Sequence, residues 1–144
     1  MTQSHSLMTG KRGLIMGVAN EHSLAWAISK FCAAQGAELA FTYQGDVLKK
    51  RVGPLAESVG SSILIPCDVS SETGVIDAFQ ELQKTWDKID FVVHAIGYSD
   101  KEELKGKYLE VSRKNFNMAM DISCYSFTEV AREASKMMND GGSM

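Results

Sequence analysis

The sequence predicts an α/β fold, a doubly wound parallel sheet with helices on both faces in three layers. Two observations carry this. Short apolar runs alternate with segments of helical periodicity four times along the chain, the pattern of repeated β-α units with right-handed crossovers. The runs are apolar at nearly every position, as strands buried on both faces must be. A third observation marks the functional edge: the first run ends at Gly17, and a helix starts a few residues later.

Taken in order, residues 13–16 read as the first strand. Residues 23–35 read as a helix with Leu24, Ile28, Phe31 and Cys32 on one face, closed by Gly36. Residues 37–43 form the second strand. A second helix from Asp46 carries Val47, Leu48, Arg51, Leu55 and Val59 and ends at Gly60, with Pro54 expected to disturb it. Residues 62–66 are the third strand. The third helix, 72–86, aligns Val75, Ile76, Phe79, Leu82 and Trp86, and residues 89–95 are the fourth strand. After a charge-rich interruption at 99–107, one long helix is expected over 113–138 with Phe116, Met120, Phe127, Val130 and Ala134 inward. The last residues, from Asp140, read as a helix exit and the beginning of another strand.

A chain of 144 residues that is 44% apolar and 23% charged has the makings of one domain with a real core. A net charge of −3 gives no basic footprint, which argues against nucleic acid as a partner. No run approaches the roughly 20 apolar residues of a membrane span, so no membrane partner is expected. Residues 1–10 are polar and read as a flexible lead-in without the apolar core of a secretory signal. Cys32, Cys67 and Cys124 are odd in number and lack metal-ligand spacing. They read as reduced, packed thiols in a cytoplasmic protein, and no metal site is expected.

The residues at the strand ends carry the chemistry. Gly17 lets the backbone turn sharply. Ser23, with its hydroxyl, and the helix start at Leu24 offer hydrogen-bond donors where partial positive charge favours a phosphate. Ser23 as an ordinary helix cap is the competing reading. Gln44, at the end of the second strand, can hydrogen-bond a ribose hydroxyl, and no Lys or Arg lies directly beside it to hold a 2′-phosphate. That favours NADH over NADPH. Asp68, at the end of strand three, can accept from an adenine amino group while Val69 packs on the ring; turn capping is the alternative. After strand four, Gly97 permits close backbone approach and Ile96 can lie against ribose or nicotinamide. His94, inside that strand, reads as a structural histidine.

These pieces together resemble one family. Gly17, a five-residue gap, then Ser23-Leu24-Ala25, with the strand ending Thr42-Tyr43-Gln44, Cys67-Asp68-Val69 and His94-Ala95-Ile96-Gly97, is similar to the bacterial-type enoyl-acyl-carrier-protein reductases. They are a divergent branch of the Rossmann-like short-chain dehydrogenase/reductases. Asp121-Ile122-Ser123 and Tyr125-Ser126-Phe127 look like that family too. The resemblance covers nearly the whole chain from Gly10 onward.

The resemblance implies NADH-dependent reduction of the trans-2 double bond of an enoyl thioester on acyl carrier protein, in fatty-acid synthesis. It assigns Gly17, Ser23 and Leu24 to the pyrophosphate, Gln44 to the adenosine side, Asp68 and Val69 to the adenine, and Ile96 with Gly97 to the nicotinamide half. Ser99, with Tyr98 close by, is assigned to the acyl pocket. It further implies a cytoplasmic homotetramer. The family's catalytic tyrosine and lysine are expected beyond Met144, since none of Tyr43, Tyr98, Tyr108 or Tyr125 is followed by a lysine at the family spacing. Residues 1–144 therefore read as the N-terminal part of a single dinucleotide-binding domain, inactive alone. Alternatives are another short-chain carbonyl reductase using NAD(P) or a non-catalytic dinucleotide-binding fragment.

Overall fold

In the computed structural model, which describes residues 6–144, five parallel strands form one sheet in the order β3-β2-β1-β4-β5. The strands are β1 (Arg12–Met16), β2 (Glu38–Tyr43), β3 (Leu64–Pro66), β4 (Ile89–His94) and β5 (Met138–Ser143). The connecting helices are α1 (Leu24–Ala34), α2 (Gly45–Ser58), α3 (Gly74–Gln83), α4 (Arg113–Met120) and α5 (Ser126–Ser135). The order reverses between β1 and β4, so a switch point opens at their carboxyl ends.

Alternation along the strands feeds two cores. Leu14 and Met16 of β1, Ala40 of β2 and Val92 of β4 face α3 and α5, where they meet Phe79, Leu82, Val130 and Ala134. Ile15, Leu39, Phe41 and Phe91 face α1 and α2, where they meet Ala25, Trp26, Val52 and Ala56. At the opposite, amino edge of the sheet, Asp90 ties three strands. Its carboxylate accepts from the Arg12 main-chain N–H at 2.9 Å, Lys11 Nζ at 3.2 Å and Asn139 Nδ2 at 3.0 Å.

Several expectations need correction. The buried side of α1 is Ala25, Trp26 and Ser29, whereas Leu24 and Phe31 are 79% and 76% exposed. Small residues at i and i+4 let α1 lie close on the sheet, and the Ser29 hydroxyl is satisfied by the Ala25 carbonyl at 2.7 Å. Hydrophobicity alone therefore picked the wrong stripe. On α2, Val47 is exposed and the helix runs unbroken through Pro54, which is itself exposed; there the carbonyl left without a partner can meet water. The expected helix over 113–138 is two helices joined by a π turn, Asp121–Tyr125, and its last residue belongs to β5. Phe116, Met120 and Phe127 are each more than two-fifths exposed, while Val130 and Ala134 are fully buried.

The lead-in expected over 1–10 lies partly outside the described residues. Within them, residues 7–10 form a turn fastened to the end of α1: Met8 N–H donates to the Gln35 carbonyl at 2.9 Å and Leu7 N–H to Gln35 Oε1 at 3.2 Å. Cys67 is buried and Cys32 half-buried, but Cys124 is exposed, against the expectation of packed thiols throughout. No helix among the described residues is long and apolar enough to cross a membrane. Nor, among them, do three or more His, Cys, Asp or Glu gather as metal ligands.

Candidate functional site

A cleft of about 390 Å³ opens at the carboxyl ends of β1, β2, β3 and β4. Of the residues singled out from sequence, Gly17, Gln44, Asp68, Val69, Ile96, Gly97 and Tyr98 line it together. They come from four separate strand ends, brought side by side by the parallel register.

Gly17 is at φ +103°, and a Cβ there would sit 2.0 Å from the Ala95 carbonyl oxygen. The residue must be glycine because β1 and β4 exit side by side, as much as for the approach of any ligand. The turn that follows is organised by Ser23, whose Oγ accepts from the Ala19 N–H at 2.9 Å and the Asn20 N–H at 3.1 Å. Ser23 occupies the cap position of α1 but makes no side-chain capping bond to the helix. It is not among the residues that line the cleft. Leu24 is likewise off the lining, with an exposed side chain; what it can offer is a main-chain N–H in the first turn of α1.

Asp68 Oδ1 accepts from the Ser70 N–H at 2.9 Å and the Ser70 hydroxyl at 2.6 Å. The turn-capping reading is therefore part of its role. Those two bonds, with the nearby Gln44 side chain acting in the same direction, hold its carboxyl below the usual range, outweighing partial burial. Asp68 is thus an anion beside Gln44 at the β2–β3 end of the cleft. Cys67 on the cleft floor is pushed up to about 11 by burial, with Asp68 and Glu129 adding to it, and is a neutral thiol. At the same end, Lys49 Nζ rests over the Tyr43 ring, 5.6 Å from its centre.

The β4 end is apolar. Ile96, Ala95 and Ile122 line it, and a Cβ on Gly97 would meet only Ser123 Oγ at 3.9 Å, so space beside that glycine is open. Ser99 does not reach the lining; its hydroxyl is engaged by Asn115 Nδ2 at 3.0 Å. His94 Nε2 lies 2.8 Å from Ser126 Oγ, and that hydroxyl donates to the Ile122 carbonyl at 2.6 Å. The serine proton being spent there, His94 donates from Nε2. Burial depresses its pKa, a setting for a neutral, structural imidazole.

Sequence reading assigned no site role to Val18, Ala19, Thr42, Tyr43, Leu48, Cys67, Ala95 and Ile122, which also line the cleft, and missed the tethering roles of Asn115, Ser123 and Ser126. The available signal for the last three was small polar residues placed on otherwise amphipathic helical segments.

This is a Rossmann-like α/β protein with its binding cleft at the switch point of the sheet. The chain belongs to the enoyl-(acyl carrier protein) reductase family, whose profile matches residues 17–144. It is 60% identical over 141 residues to enoyl-[acyl-carrier-protein] reductase [NADH] 2 of Rhizobium meliloti, covering 97% of this chain and 52% of that protein. Among solved structures, the enoyl-(acyl-carrier-protein) reductase of Anaplasma phagocytophilum in complex with NAD superposes with a TM-score of 0.89 at 53% identity, over 94% of this chain and 52% of that one. The Bacillus cereus reductase, solved with NADP+ and indole naphthyridinone, gives a TM-score of 0.89 at 38% identity, over 93% of this chain and 53% of that one. The chain spans about half the length of the curated relatives it matches.

Proposed function

We propose that the full-length protein carrying this chain is an NADH-dependent enoyl-acyl-carrier-protein reductase of fatty-acid synthesis, and that residues 1–144 build the cofactor side of its site within one dinucleotide-binding domain. The observation that carries this is the convergence of Gly17, Gln44, Asp68, Val69, Ile96 and Gly97 on one cleft at the switch point. The family match weighs against a carbonyl reductase from another branch of the superfamily.

The residues present fit a dinucleotide. The Gly17 turn supplies a concave stretch of main chain, and Ser23, with its oxygen already accepting two N–H groups, has its proton to offer a phosphate. Leu24 adds an N–H from the start of α1. Gln44 and ionised Asp68 accept and donate at the adenosine end, where Val69 gives an apolar face. Ile96 and Gly97 form the nicotinamide half, and Tyr98, with Ser99 behind it, belongs to the acyl side. The bound cofactor supplies hydride to the β-carbon of the trans-2 enoyl thioester while negative charge develops on the thioester oxygen. The tyrosine and lysine that serve that oxygen and the ribose belong, by family resemblance, to the sequence after Met144.

NADH is favoured over NADPH because a 2′-phosphate beside Gln44 would face the Asp68 carboxylate, and the Lys49 ammonium at that end rests on the Tyr43 ring. The NADP+ bound by the Bacillus cereus relative makes this a point to measure. The same reading carries a cytoplasmic homotetramer acting on acyl-carrier-protein-bound substrate. The test is NADH oxidation by the full-length protein with a crotonyl thioester, followed at the nicotinamide absorbance band. Thioester-dependent decay is expected; its absence overturns the assignment.

A further inference from the structure

The cleft wall beyond β4 is held by side chains that take no part in its lining. The main chain leaves β4 through Ala95–Asp100 with no regular structure of its own, so something else must fix it. Two side chains do. The Ser123 hydroxyl accepts from the Tyr98 N–H at 2.9 Å and donates to the Tyr98 carbonyl at 3.3 Å. Asn115, 4% exposed, accepts from the Asp100 N–H through Oδ1 at 2.8 Å and donates from Nδ2 to Ser99 Oγ at 3.0 Å. Tyr98 is therefore bracketed, by its own main chain on one side and by the next two residues on the other. Its side chain is half exposed and lines the cleft.

Ser123 reaches Tyr98 from the π turn. There the Ser126 N–H bonds the Asp121 carbonyl five residues back, leaving the Ile122 carbonyl to the Ser126 hydroxyl at 2.6 Å, with His94 donating onto that hydroxyl. Such wide turns are rare inside helices and frequently stand at functional sites. This one points two serines at the two ends of a single segment, His94 and Tyr98.

We propose that Ser123 and Asn115 are positioning residues that set Tyr98 as the wall against which the thioester end of the substrate is placed. The inference rests on the enoyl-reductase reading. Its specific content is that the bracket acts on the substrate half of the cleft and not on the adenosine half, because Gln44 and Asp68 belong to the β2–β3 end, where neither residue makes a contact.

The test uses the full-length protein with Ser123→Ala, and with Ser123→Thr to restore the hydroxyl. For Ser123→Ala, kcat/KM for the crotonyl thioester falls about tenfold, on the scale by which misplacing a group at a reacting centre slows turnover. The calorimetric Kd for NADH stays within about twofold, the bracket leaving the adenosine contacts alone, and the Tyr98 amide exchanges faster with deuterium. Ser123→Thr returns all three readouts toward wild type. Asn115→Ala follows the same split; where it fails to fold, Ser123→Ala decides. A Ser123→Ala protein with unchanged kcat/KM, or one losing NADH affinity in step with thioester turnover, overturns the inference alone. A wild-type protein without thioester-dependent NADH oxidation overturns the functional reading and this inference with it.

Discussion

At the residue scale, Gly17 and Ser23 divide one task. Gly17 lets the ends of β1 and β4 leave the sheet side by side, and Ser23 gathers the N–H groups that follow. Gly17→Ala places a side chain in the left-handed region and onto the Ala95 carbonyl, so a destabilisation of about 3 kcal/mol or more is expected in urea unfolding. Ser23→Asp is expected to keep the fold yet weaken NADH binding by about tenfold, since on the proposed function a carboxylate would stand where the pyrophosphate is placed. Calorimetry giving wild-type affinity for that variant would remove Ser23 from the pyrophosphate site. The sequence singles out both residues as a turn that suits a phosphate. What was not legible is that the Ser23 oxygen is already committed to two main-chain donors, because a hydroxyl's partners are chosen by a loop closure that no local propensity encodes.

At the element scale, the π turn between α4 and α5 is the feature that periodicity could not foretell. The wider turn at Asp121–Tyr125 adds one residue and shifts the helical phase there, a local change that the apolar spacing over 113–135 does not reveal. Ser126 is fully buried and bridges Ile122 and His94. Ser126→Ala leaves a carbonyl and an imidazole N–H without partners and is expected to cost ~1–3 kcal/mol by chemical denaturation. His94 adds a pH dependence. Burial lowers its folded pKa beneath the ordinary 6.5, so the neutral ring favours the fold. That contribution is complete above about pH 6.5 and is lost as pH falls through and below that value. Thermal melts of the wild type should therefore drop between pH 7 and pH 5 more steeply than those of His94→Gln, a difference that vanishes if the histidine does not titrate with folding.

At the scale of the whole molecule, the cleft opens at one edge of the sheet and the Asp90 ties lie at the opposite edge. Burial works against the Asp90 carboxylate, but its bonds to the Arg12 N–H, Asn139 and Lys11 prevail and keep it below the ordinary 3.8. Its stabilising share is present above that pH and lost as pH falls beneath it. The outer edge of β5 has no partner strand among the described residues, and apolar Leu24, Phe31, Met120 and Phe127 stand exposed on the helices. Residues 1–144 expressed alone are expected to self-associate through such surfaces. Light scattering that reported a stable monomer at high concentration would contradict this.

The sequence by itself determined the strand–helix alternation, the parallel sheet, and the four strand ends that carry Gly17, Gln44, Asp68 and Ile96. Each is written in local pattern, a period of apolar residues closed by a turn residue, and the parallel register then brings the ends together without further instruction. The tertiary structure alone decided which face of α1 is buried, where the long helix widens, and which neighbours Ser23, Ser99 and Asp68 bond. Those outcomes depend on how closely two elements approach and on which of several acceptors a hydroxyl or carboxylate meets first. Both are set by side-chain volume and distance across the fold, quantities absent from any single stretch of sequence.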